Sequence, residues 1–127
     1  MPAELSENII TGLLLIVGVI NFLPVIGLLS ATRLESAYGI AVNDPNLAIL
    51  LKHRALLFGL LGGIILYSAF NASLQPLAFI LGFVSMLGFI VICWQTGEAN
   101  LLLRKIAAID VVASVMLFAA LLLRITR

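Results

Sequence analysis

Residues 43–70 read NDPNLAILLKHRALLFGLLGGIILYSAF, and the reading of that stretch decides the fold. Asp44-Pro45 opens it with a helix N-cap residue followed by proline at the first helical position, where the missing N–H costs nothing. Lys52, His53 and Arg54 follow some two and a half turns in, and no charge comes after them as far as Phe70. A helix this apolar does not sit in water, yet it draws three basic side chains toward lipid. What those charges meet bears directly on what the chain can do.

Composition supports a lipid surrounding. Of 127 residues, 63% are hydrophobic and 10% charged, whereas soluble domains average about 25% charged and 45–50% apolar. So much apolar surface exceeds what one small core can hide. A net charge of +1 excludes a nucleic-acid binder, which needs clustered Lys and Arg against phosphates. Cys93 is the one cysteine, so neither an intrachain disulfide nor a cysteine-based metal site can form. His53 is the one histidine, and no metal or other cofactor is expected. Cys93 reads as a small packing residue.

Outward from the central stretch, the fold class expected is all-α, a membrane-embedded four-helix bundle in a single domain, 1–127. Its helices are expected at about 9–29, 45–70, 77–95 and 101–125. The first is free of charge from Asn8 to Thr32, with Asn21 and Pro24 interrupting it. Pro24 removes a backbone hydrogen bond and predicts a kink. Glu4 and Glu7 stand where a signal peptide would be basic, so this run reads as a retained span. Between the first two spans, Thr32-Arg33-Leu34-Glu35 fits a capping box and Gly39 a helix stop, which predicts a short interfacial helix. Residues 55–97 carry no charge, more than one span needs. Asn71-Ala72-Ser73-Leu74-Gln75-Pro76 is the natural break, and Thr96-Gly97-Glu98-Ala99-Asn100 the next turn. Trp94 suits the headgroup interface.

Counting at 1.5 Å per residue, Arg54 and Asp110 each lie ten residues beyond a helix start, Asp44 or Asn100, roughly 15 Å in from the same side. Asn21 and Ser85, counted back from the ends of the antiparallel first and third helices, reach a similar level. A lone charge at a helix centre costs about 2.5–3.5 kcal/mol on insertion scales. An ion pair or hydrogen-bonded cluster of Arg54 with Asp110 is therefore expected, with Asn21, His53 and Ser85 beside it as ligand-binding candidates. Lys52 is shallow enough to snorkel. Glu35, Tyr38 and Asn43 are candidates for a lid over this layer, and their plainer role is as caps and turn residues. Ala55, Gly59 and Gly63 recur every four residues and are expected to pack helices closely, within one subunit or in a homodimer.

The side of the loops after the first and third helices holds Arg33, Arg104 and Lys105, with Lys52 and Arg54 to be added if they are not within the membrane, and the opposite side Arg124 and Arg127. The positive-inside rule then puts both termini outside. No glycine-rich phosphate loop, G-x-S-x-G or CxxC is present, so no enzymatic chemistry is expected.

With Asp110 in a last helix, AYGI at 37–40 and NDPNLAILLKHRALLFGLLGG at 43–63 resemble the small bacterial four-helix membrane proteins of the DoxX-like kind. The resemblance implies a bacterial inner-membrane bundle with a polar cavity between its helices. The roles found in that group are quinone-linked oxidoreductase subunits, sterol or small-ligand binders, and membrane chaperones. The chain also resembles sequences that carry the name phosphopantetheine adenylyltransferase. The T/H-x-G-H motif of that soluble family is absent, since Leu51-Lys52 precedes His53. The function expected is binding of a small amphipathic ligand, lipid or quinone at the intramembrane polar cluster. The alternative is an accessory subunit or membrane chaperone that meets a membrane-protein partner through its helix faces.

Overall fold

A computed structural model describes residues 2–127. The chain is all helical: α1 (Ala3–Phe22), α2 (Ala31–Tyr38), α3 (Pro45–Ser68), α4 (Gln75–Thr96) and α5 (Leu101–Thr126). Four of its helical segments are long and apolar enough to cross a membrane, which makes it a multi-pass membrane protein. They pack as an up-down-up-down ring in which α1 touches α3 and α5, and α4 touches α3 and α5. The diagonal pairs are therefore α1 with α4 and α3 with α5.

The first span starts earlier than expected, at Ala3, with Glu4 in the first turn where the helix dipole favours a carboxylate. Pro24 lacks the N–H that would reach back one helical turn. In place of a kinked α-helix, the chain tightens into a 3₁₀ segment, Leu23–Leu28. Asp44 caps α3 by accepting from the Asn46 N–H at 2.8 Å, and Asn100 caps α5 by accepting from Leu103 N–H at 2.8 Å. Gly39 and Gly97 end α2 and α4 at φ 67° and 75°, the left-handed conformation that glycine adopts without strain.

The capping box expected at Thr32–Glu35 is not formed. Ser30 caps α2 instead, accepting from the Arg33 N–H at 3.3 Å. Glu35, five residues after that cap where a box needs three, accepts from the Val42 N–H at 2.9 Å and holds the loop leaving α2. Leu34, Tyr38 and Val42 then seat against Leu51 of α3 and Leu103 and Ile106 of α5. The Asn100 amide donates to the Tyr38 and Gly39 carbonyls at 2.8 and 3.3 Å. α2 is thereby laid across one mouth of the bundle.

Inside, Leu14, Val17, Ile65, Met86 and Leu117 form the core, with Ala78, Ala113 and Ala120 fully covered. Residues such as Leu60, Ile80, Val112 and Val115 point outward, as a lipid-facing surface requires. Since lipid is as apolar as leucine, close approach does the packing. A Cβ on Gly62 would lie 2.5 Å from the Phe22 backbone, and one on Gly18 would meet Leu66 at 2.7 Å. The expected stripe runs differently. Ala55 is fully buried and Gly59 meets Val25, but Gly63 faces open space. Each four-residue step overshoots a full turn by about 40°, so a strict i, i+4 stripe drifts off the contact while an i, i+7 spacing stays on it. Gly62, seven residues after Ala55, is the crossing point.

The far end, where both termini lie, is tied by polar groups. Buried Gln75 donates to the Ser68 carbonyl at 3.0 Å, and its own carbonyl accepts from Arg124 at 2.6 Å. Arg124 also donates to Ala72 O at 3.1 Å. The Thr11 hydroxyl is shared between Glu7 O and Ala69 O at 2.9 and 3.2 Å. Arg127 pairs with Glu7 at 3.0 Å.

Candidate functional site

The polar groups of the α2-side half are arranged differently. Arg127–Glu7 is the one ion pair among the described residues, so Arg54 and Asp110 do not form the salt bridge that their matching depth predicts. The reason is the ring order. Depth along a helix follows from counting residues, but α3 and α5 stand diagonally across the bundle.

Arg54 is held by aromatic faces instead. Its guanidinium carbon lies 4.7 Å from the centroid of Phe58, 5.1 Å from Phe89 and 5.8 Å from Tyr38. The rings come from α3, α4 and α2, so the cation sits where three elements meet. Each such contact is worth about 0.5–2 kcal/mol depending on desolvation, comparable with the insertion cost of the charge. Phe58 is one turn beyond Arg54 on the same helix face, a pairing visible in sequence. Phe89 and Tyr38 arrive from other helices, and nothing local in the sequence marks them.

Aromatic rings offer no lone pairs to the five N–H groups of a guanidinium, and Arg54 makes no hydrogen bond within the described chain. It opens onto a groove of about 580 Å³ between α3 and α4, within the range of small-molecule pockets. His53 and Ser85 line the same groove, and Leu57, Leu61, Leu81 and Val84 complete most of its wall. The lining on α3 extends from Leu50 to Leu61, about 16 Å at 1.5 Å per residue. Since α3 and α4 run antiparallel, Arg54, His53 and Ser85 share the α2-side half, and Leu61 and Leu81 the deeper half. A smaller hollow of about 420 Å³ on the outer face of α4, lined by Phe83, Leu87, Gly88 and Val91 among others, has no such polar end.

The remaining candidates lie around this groove rather than in it. Asn21 is buried, donating to Val17 O at 2.9 Å and to the Met86 sulfur at 3.7 Å, next to Ser85 in sequence. Asp110 is half-buried on α5, and Ser114 one turn beyond it has a buried hydroxyl without a partner. Of the lid candidates, Tyr38 faces Arg54, Glu35 fixes the loop, and Asn43 is exposed ahead of α3. Among the described residues, no three His, Cys, Asp or Glu side chains gather as a metal centre would require.

No protein-family model matches the chain, and no curated protein or solved structure matches it.

Proposed function

We propose that this chain binds a small amphipathic molecule in the α3–α4 groove. The observation that carries this reading is the polarity gradient along the groove. Arg54, His53 and Ser85 lie at the α2-side half, and Leu61 and Leu81 toward mid-membrane. A molecule with a polar head and an apolar tail would meet matching surface at both ends, entering sideways from the lipid. On this reading, Asn21 and Asp110 shape the polar layer from behind, and α2 with Tyr38 closes its mouth. Lipid and quinone both fall within this class. The DoxX-like resemblance, carried by residues of α2, α3 and Asp110, accords with it. On the same reading, the chain is a single membrane domain over 1–127 in a bacterial inner membrane, with both termini outside.

The alternative is an accessory or chaperone role. Gly63 and Gly88 favour it, because a Cβ at either would meet nothing within 4 Å, and such positions suit the close approach of a partner helix or a second copy.

Gentle extraction followed by native mass spectrometry separates the two. A discrete small molecule on the wild type, lost in a folded Ser85→Phe variant that fills the groove, is the expected result. A bare, folded wild type that instead carries a protein partner, released by Gly88→Leu, would overturn the ligand reading.

A further inference from the structure

Resting on the groove reading above, we infer that the ligand is a single-chain amphiphile with a carboxylate head, the chemistry of a fatty acid. Charge complementarity is the first reason. Among the described residues that line the groove, Arg54 and His53 are basic and none is acidic. The acids nearby are placed elsewhere: Glu35 accepts from the Val42 N–H, and Asp110 lies on the diagonal helix. An anion in the groove therefore meets attraction without a competing carboxylate in the lining.

The second reason is the state of Arg54 itself. Three rings lie within 6 Å of its guanidinium carbon, and none of them supplies an acceptor, so its N–H groups are left to find one. A carboxylate accepts two parallel N–H bonds from such an edge, a bidentate arrangement stronger than its neutral counterpart. An alcohol or a quinone carbonyl supplies one neutral acceptor and leaves the charge in place. The apolar, aromatic surroundings of Arg54 lower the local dielectric, which strengthens such a pair.

The third reason is stoichiometry and size. One guanidinium answers one negative charge, and His53, exposed at the rim, stands beside it on α3. A phosphate monoester brings a charge nearer two. The volume of about 580 Å³, between Leu57 and Leu61 of α3 and Leu81 and Val84 of α4, suits one chain rather than two.

The test is a head-group series on one hexadecyl chain. The full-length protein in zwitterionic nanodiscs is equilibrated with palmitate, hexadecanol, palmitoyl lysophosphatidylcholine or palmitoyl lysophosphatidate, and bound amphiphile is counted by native mass spectrometry. Palmitate is expected to bind about tenfold more tightly than hexadecanol, the scale of one charge-assisted pair. Arg54→Gln should bring palmitate down to the level of hexadecanol while chain binding persists, and Arg54→Lys should restore part of the preference. Hexadecanol binding as tightly as palmitate would overturn the head-group assignment and leave groove binding standing. Lysophosphatidate outcompeting palmitate would overturn the carboxylate in favour of a phosphate. If no member of the series binds the wild type, the head-group inference and the groove reading fall together. The series on the wild type alone decides the question if a variant does not fold.

Discussion

The two ends of this bundle use the same kinds of residue to opposite effect. At the end where the termini lie, Arg124 and Arg127 find oxygen partners: Ala72 O, the Gln75 side chain and Glu7. At the α2-side half, Arg54 has three aromatic faces and no oxygen and Asp110 has no ion-pair partner, and midway along α5 the Ser114 hydroxyl is buried without a hydrogen bond. In a bilayer, hydrogen bonds and close packing replace the hydrophobic effect as the force between helices. The paired end is thus built to hold its shape. The other half keeps its strongest donor without an oxygen partner, beside a groove.

This contrast can be broken or sharpened by substitution. The largest loss of stability is expected from Arg124→Ala, which removes two charge-assisted hydrogen bonds and strands the buried Gln75 carbonyl. About 2–3 kcal/mol should disappear from unfolding measured in detergent. Next comes Asn100→Ala, which removes the α5 cap and the two tethers to α2. It should cost about 1–2 kcal/mol, and amide exchange over residues 31–38 should quicken. Smallest is Arg54→Leu. Losing the cage contacts is balanced by removing an unpaired charge from the membrane, so stability should stay within about 1 kcal/mol of wild type. A fall as large as that for Arg124→Ala would erase the distinction between the ends.

Much of this architecture was legible in the sequence, because its signals are local. Asp44-Pro45, Asn100, Gly39 and Gly97 act where they stand, through their own backbone conformations and first-turn hydrogen bonds. Apolar runs give the spans for the same reason. What escaped depends on rotation about helix axes and on the order of helices round the ring. The depth of Arg54 and Asp110 could be counted from helix starts. That α3 and α5 stand diagonally could not, and the expected ion pair went with it. Gly62 was passed over for Gly63 because a four-residue repeat looks regular in text but drifts round a helix of 3.6 residues per turn. Arg124 and Gln75 gave no sign of each other at a sequence separation of 49. Of the site itself, Arg54, His53 and Ser85 were named from polarity in an apolar setting. The Phe89 and Tyr38 rings that make Arg54 distinctive were invisible as such, since apolar spans are full of aromatic residues.

The central claim is that the uncommitted half of the bundle holds a ligand between α3 and α4. The most direct measurement is photo-cross-linking with a fatty acid carrying a diazirine midway along its chain, followed by peptide mapping. Adducts concentrated on Leu57, Leu61, Leu81 and Val84, and suppressed by excess unlabelled palmitate, are what this account requires. Labelling spread evenly over the lipid-facing residues of all four spans, unaffected by palmitate, would contradict it.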